Sequence, residues 1–174
     1  MKTIEDYIRE IPDFPKKGII FRDIMPLFGN AEGLKLSTDS IKNILSDVDF
    51  DLIAGSEARG FLVGAPVAYA MNKGFVPVRK KGKLPYETIS ADYELEYGTA
   101  TVEIQKDAIK PGQRVVLIDD LLATGGTLGA MIKLVEQLGG EVVKIVCLIE
   151  LCGLKGREQF DDYDVECILK YPDA

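Results

Sequence analysis

Two hydrophobic periods alternate along the chain. Residues 2–10 set Ile4, Tyr7 and Ile8 at helical spacing, and "PDFPKKG" ends that segment with Pro12 and Pro15. "GIIFRDIMPLF" holds a short apolar strand before Pro26, and Leu34, Ile41, Ile44 and Leu45 recur at helical spacing over about 31–46. Beyond this point short apolar strands and helices take turns. "DLIAGS" reads as strand, "GFLVGAPVAYAMNKG" as helix and "FVPVRK" as strand. "RVVLIDDL" then reads as strand, "TLGAMIKLVEQLGG" as helix and "EVVKIVCLIEL" as strand. The succession predicts βαβ units, hence an α/β fold with a mostly parallel twisted sheet and helices on both faces.

One insertion interrupts the rhythm. Between "FVPVRK" and the turn at Pro111 the chain carries Lys80, Lys81, Lys83, Gly82 and Gly98, and "TATVEI" alternates as an antiparallel strand would. A basic, glycine-containing loop between strands, over about 80–98, predicts a flexible antiparallel flap. Without repeats, low-complexity tracts or a composition break, residues 1–174 read as a single domain.

The 174 residues are 47% hydrophobic and 28% charged, ordinary for a folded soluble protein. The net charge of -7 weighs against nucleic acid or an anionic membrane as partner, and leaves a small phosphate ligand open. Cys147, Cys152 and Cys167 are odd in number and lack metal-ligand spacing, so they read as buried reduced thiols. No apolar run approaches the roughly 18 residues of a membrane span, and a cytoplasmic protein is expected. The chain contains no histidine, which excludes histidine-based triads, histidine zinc sites and a histidine general base.

Candidate chemistry concentrates in "RVVLIDDLLATGGT", Arg114 to Thr127. Asp119 and Asp120 stand at the end of an apolar run, where a carboxylate is costly unless paired, hydrogen-bonded or facing a cation. Ala123, Thr124, Gly125, Gly126 and Thr127 follow at the start of a helix, where main-chain N–H groups and hydroxyls make a phosphate cradle. A capped strand with two solvated aspartates is the plainer alternative. Neither "GxxxxGK[ST]" nor "GxGxxG" is present, which disfavours P-loop and dinucleotide folds.

The same stretch resembles the phosphoribosyl pyrophosphate (PRPP) signature of the type I phosphoribosyltransferases. Three further segments resemble the branch of that family that acts on adenine. "PDFPKKGIIFRDI" matches its base-covering hood (about 1–30), "GSEARGF" its pyrophosphate loop, and "RKKGKLPYETISADYELEYGTATVEIQKDAIKPGQRVV" its flexible loop with the strands around it. "IELCGLKGREQF" extends the match towards the C-terminus, so the resemblance runs in order over nearly the whole chain.

It implies purine salvage: adenine plus PRPP giving AMP and pyrophosphate, with magnesium, in a homodimer. Asp119 and Asp120 would then face the ribose hydroxyls, directly or through hydrated Mg2+, and the loop 123–127 would hold the 5-phosphate. Magnesium would be held mainly by substrate and water, and no residue is assigned as a certain ligand. The resemblance implies that Glu57, Ala58, Arg59, Arg79, Lys80 and Lys83 meet the pyrophosphate, with a cis Glu57-Ala58 peptide, and that Tyr86 and Tyr97 belong to the flap. Glu57 and Ala58 depart from the aspartate and serine common in the family, which removes a hydroxyl contact. Glu96 is the expected catalytic partner, as proton acceptor or as positioner of the base. Ile20, Phe21, Arg22 and Leu151 are the expected adenine contacts. A ligand-sensing regulatory module and an oxo-purine substrate are the rival readings.

Overall fold

The structure, a computed structural model, describes residues 1–95 and 97–172. Glu96 therefore lies outside the described residues. Seven strands form the main sheet: β3 (Leu52–Ser56), β4 (Gly74–Lys80), β5 (Thr88–Leu95), β6 (Gly98–Gln105), β7 (Arg114–Leu122), β8 (Glu141–Leu151) and β9 (Val165–Tyr171). Their order is β5-β6-β4-β3-β7-β8-β9. The five strands from β4 to β9 run parallel, while β6 and β5 add an antiparallel hairpin at one edge.

Helices cover both faces, as the buried runs require. On β7, Val115 and Leu117 belong to a core with Met131, Leu134 and Val135 of α4 (Gly126–Gln137). Val116 and Ile118, on the opposite face, pack with Ile41 and Leu45 at the end of α2 (Ala31–Ile44) and with Val63 and Val67 of α3 (Arg59–Ala70). A strand buried on both faces cannot alternate apolar with polar, which is why "VVLI" is continuous. Asn30 caps α2 by accepting from the N–H groups of Glu32 and Gly33 at 3.0 and 3.1 Å. Among the described residues no helix is long and apolar enough to cross a membrane.

The N-terminus departs from expectation. Residues 2–10 are not a helix: Glu5–Tyr7 is a single 3-10 turn, and β1 (Arg9–Pro12) pairs antiparallel with β2 (Ile20–Asp23). Nine residues are too short for a helix to persist without packing, whereas the strand pairing is reinforced by Arg9–Asp23 and Arg22–Glu10 ion pairs. Ile4 and Tyr7 are buried all the same, against Leu27 of α1 (Met25–Phe28) and against Leu148. β5 and β9 were not individually legible, because their charged residues mask the strand pattern. β7 also runs two residues past Asp120, to Leu122. Of the cysteines, Cys147 and Cys167 are buried but Cys152 is only half-buried.

Gly33 sets the distance between α1 and α2: a Cβ there would stand 2.5 Å from the Leu27 carbonyl oxygen. Backbone cannot rotate away from such a clash as a side chain can. Gly33→Ala is therefore expected to cost about 1–3 kcal/mol through overpacking, offset in part by better helix propensity. Thermal unfolding should show a Tm lower by about 2–8 °C; an unchanged or higher Tm would remove Gly33 as a packing determinant.

Candidate active site

Three confluent cavities open at the carboxyl ends of the parallel strands, the place where open α/β sheets bind ligands. Leu121 borders all three. The first, about 570 Å³, is lined by Ala123–Leu128 together with Tyr93, Glu94 and Leu95 of β5. Gly125 occupies the N-cap position of α4 at φ 87°, a left-handed conformation that glycine adopts without steric cost, and no side chain caps this helix. The first N–H groups of α4 are thus without a side-chain acceptor at the helix's positive end, which suits an anion.

The second cavity, about 230 Å³, holds the charged groups. Ser56, Glu57, Arg59, Lys80, Asp119 and Asp120 line it, with Tyr93 and Thr127 at the border with the first. Asp119 is buried, and it accepts hydrogen bonds from the Ser56 hydroxyl and the Asp120 amide, each at 2.9 Å. Burial first, and then the charge of Asp120, push its carboxyl well above the usual carboxylate range. Gly60 makes this burial possible: a Cβ there would stand 2.9 Å from Asp119 Oδ1, so only glycine lets α3 approach so closely. Asp120 is held differently, by Arg59 Nε at 3.0 Å.

The third cavity, about 90 Å³, is mostly apolar and is lined by Ile19, Ile20, Phe21, Arg22, Ile149 and Leu151, with Arg59 and Asp120 at its charged end. The Arg59 guanidinium lies 5.7 Å from the Phe21 ring centroid, so one side chain bridges the second and third cavities. A flat apolar group in this slot would therefore lie beside a carboxylate and a guanidinium, close to the loop 123–127.

The phosphoribosyl transferase domain family matches residues 29–173. The chain belongs to the phosphoribosyl transferase family. It is similar to the adenine phosphoribosyltransferase of Lachnoclostridium phytofermentans, with 59% identity over 98% of each chain. It is similar also to the crystal structure of the adenine phosphoribosyltransferase from Thermoanaerobacter pseudethanolicus. That pair shares 57% identity at a TM-score of 0.94, over 97% of this chain and 98% of the other. The Saccharomyces cerevisiae enzyme, solved with adenine and an imino-altritol bisphosphate, shares 40% identity at a TM-score of 0.89, over 94% and 95% of the two chains.

Within this phosphoribosyl transferase the expected site residues divide. Ala123, Thr124, Gly125, Gly126, Thr127, Asp119, Asp120, Glu57, Arg59, Lys80, Ile20, Phe21, Arg22 and Leu151 all line one or another of the three cavities. The Glu57-Ala58 peptide is cis. Arg79 is not brought in. Val78 and Lys80 line the second cavity, and strand alternation turns Arg79 away from it. Its Nη2 instead meets Glu57 at 3.2 Å. Glu57 thereby anchors Arg79 and the Lys80 main chain at the cavity wall. Burial raises its carboxyl, but the Lys80 amide at 2.6 Å and Arg79 outweigh burial and hold it below its ordinary value.

Lys83 and Tyr86 line none of the three cavities, and both are exposed in the turn between β4 and β5. Tyr97 is exposed too, with Lys16 of the β1–β2 connection 5.7 Å over its ring. The Arg22 side chain pairs with Glu10 and lies 4.1 Å over the Tyr171 ring, so its contribution to the base slot rests on its main chain. Tyr93 was missed by sequence reasoning. It lines the first two cavities, and a Cβ on Gly126 would stand 2.9 Å from its ring. An aromatic at the buried phase of an edge strand was the only signal available.

Because the folded pKa of Asp119 is raised, the stability present below its ordinary value of 3.8 is lost as pH rises through the folded value. An asparagine in its place would not ionise and would still accept from the Asp120 amide. Asp119→Asn is therefore expected to lose activity yet unfold at a higher Tm than the parent near neutral pH. The gain should shrink towards about pH 4. A Tm difference that does not change with pH would refute the raised carboxyl.

Proposed function

We propose that the chain transfers the phosphoribosyl group of PRPP to adenine, giving AMP and pyrophosphate, and so serves purine salvage. The observation that carries this reading is the order of the three cavities: anion cradle, carboxylate and guanidinium, apolar slot. That order matches 5-phosphate, ribose with pyrophosphate, and base along one molecule of PRPP meeting adenine. The relatives named as adenine phosphoribosyltransferases support the choice of base.

In this reaction the N9–C1 bond forms as the bond from C1 to pyrophosphate breaks, through a state with oxocarbenium character. The loop 123–127 holds the 5-phosphate and fixes the ribose at the strand ends. Asp120 faces the ribose and favours positive charge developing at C1, while Asp119 holds the Asp120 main chain in place. Arg59 and Lys80 take up the negative charge of the departing pyrophosphate. Phe21 and Leu151 enclose the purine, and the edge of β2, which among the described residues pairs with β1 alone, offers main-chain groups to the base edge. Glu96 is the carboxylate assigned to the base, either as acceptor of the proton that adenine N9 gives up or as its positioner, in a chain without histidine.

The donor set also suits Mg2+. Among the described residues no cluster of three or more acidic, cysteine or histidine side chains is placed to hold a metal, and Asp120 is the carboxylate lining two cavities. Such a site fits an ion held mainly by substrate oxygens and water, with Asp120 and, through water, Asp119 as its protein side. When bound it would supply neutralisation of pyrophosphate charge. We further assign the chain to the cytoplasm, since its three cysteines are free, and to a homodimer. Tyr69, 90% exposed, and Leu62 leave an apolar face on α3 that a second copy would cover.

Arg59→Ala is expected to lower kcat/KM for PRPP by about 100-fold or more, with the circular dichroism spectrum and Tm little changed. Unchanged kinetics would remove Arg59 from the pyrophosphate site. Steady-state assays with PRPP and adenine, hypoxanthine or guanine should show turnover of adenine alone, because oxo-purines reverse the donor and acceptor pattern. Efficient use of hypoxanthine would overturn the base assignment. For the dimer, Tyr69→Asp should shift sedimentation from two chains to one.

A further inference from the structure

We infer that residues 152–160, after β8, form the rear wall of the phosphate loop, with Gly156 and Gln159 as positioning residues for the 5-phosphate. The inference rests on reading Ala123–Thr127 as that cradle.

A glycine-containing loop has no preferred shape of its own, so something must hold its N–H groups towards the ligand. The structure supplies contact from residues 152–160, with Gln159 at the border of a neighbouring cavity that Thr124 and Gly126 also line. A Cβ on Gly156 would overlap the Ala123 carbonyl oxygen and stand 2.9 Å from the Thr124 carbonyl carbon. A Cβ on Gly125 would stand 3.0 Å from Gln159 Nε2, 3.0 Å from the Phe160 ring and 3.2 Å from the Gly156 oxygen. The two backbones are therefore in direct contact, with glycine on both sides of the seam.

Gln159 adds direction to this contact: its side-chain amide donates to the Thr124 carbonyl oxygen. In a trans peptide the carbonyl and the following N–H point opposite ways. Holding the Thr124 oxygen to the rear therefore aims the Gly125 N–H forward, towards the cavity that Gly125 lines.

The wall cannot retreat easily. Arg157 forks onto buried Glu150 of β8, with Nε at 2.9 Å and Nη2 at 2.5 Å, and its Nη1 donates to the Val165 carbonyl of β9 at 2.7 Å. The Arg157 hydrogen bond holds the Glu150 carboxyl below its ordinary value. Phe160, at the other end, is buried in the main core. A planar guanidinium bound at three points fixes the segment to two strands.

The test compares Gly156→Ala, Gln159→Met and Thr127→Val in the reverse reaction, with AMP and pyrophosphate varied separately. Gly156→Ala should raise KM for AMP about tenfold. Gln159→Met, at an exposed position with no steric load, should raise it about threefold, the size of one neutral hydrogen bond. KM for pyrophosphate and kcat should stay within about twofold, a split that general loss of structure would not produce. Both wall variants leaving KM for AMP unchanged, while Thr127→Val raises it, would overturn the wall alone. An unchanged KM in Thr127→Val as well would overturn the cradle reading and the wall with it. Equal losses for AMP and pyrophosphate would likewise overturn the positioning role. If Gly156→Ala does not fold, Gln159→Met decides by the same criteria.

Discussion

The burial of the Asp119 carboxylate is the constraint around which the strand ends are arranged. A carboxylate removed from water is costly unless its oxygens are hydrogen-bonded, and here one oxygen takes the Ser56 hydroxyl and the other the Asp120 amide. The first bond ties the end of β3 to β7, and the second fixes the Asp119 carboxyl to the β7 main chain. The close approach of α3 at Gly60 follows from the same contact, and α3 begins at Arg59. The position of the guanidinium is thus set by packing beneath it, before any ligand arrives. Preorganisation of this kind costs stability at the site itself and is offset by the apolar burial of β7 on both faces.

The charge pattern of the cavity explains how a chain of net charge -7 can receive a polyphosphate. Arg59 and Lys80 are the cations lining the central cavity, against Glu57, Asp119 and Asp120. Three carboxylates facing two cations would repel an anion if all three were free. They are not: Asp119 is pushed towards its neutral form, Glu57 is occupied by Arg79 and the Lys80 amide, and Asp120 is paired with Arg59. The local balance is therefore far less acidic than the composition suggests, and an anion entering the cavity would meet guanidinium and ammonium in place of bare carboxylates.

Much of this was legible in the sequence, for physical reasons that differ by region. The parallel strands were readable because burial on both faces forces continuous apolar runs such as "VVLI", and the glycine pair before α4 was readable because few other residues permit that loop. Residues 2–10 misled because Ile4, Tyr7 and Ile8 are spaced for a helix and do reach the core, but through a 3-10 turn followed by a strand. Arg79 falls outside the described cavities because strand alternation, two residues in period, separates it from Lys80. Tyr93 left only the weak signal of an aromatic on an edge strand, and Gly156 and Gln159 left none, since their contacts with Gly126, Ala123 and Thr124 are far from them along the chain. No local pattern encodes such contacts.

The site is built from parts of unequal stiffness, and the division follows the chemistry. The loop 123–127 and the carboxylates sit on β7 and at the head of α4, beside the largest cores. The base slot is different: one side is Ile149 and Leu151 of β8, and the other is a two-stranded hairpin, β1–β2, that no further strand joins. An isolated hairpin has few buried contacts to lose when it opens, so it lies at the low-stability end of the fold. Tyr97, just before β6, is exposed and meets the hairpin through Lys16. A site that must admit a flat purine and then exclude water needs one rigid wall and one yielding wall. Geometry of the reacting centre is kept by the first, and access is governed by the second. On the proposed reading, phosphates held on the rigid wall would fix C1 of the ribose in space, so that the yielding wall would have only to deliver the base to it.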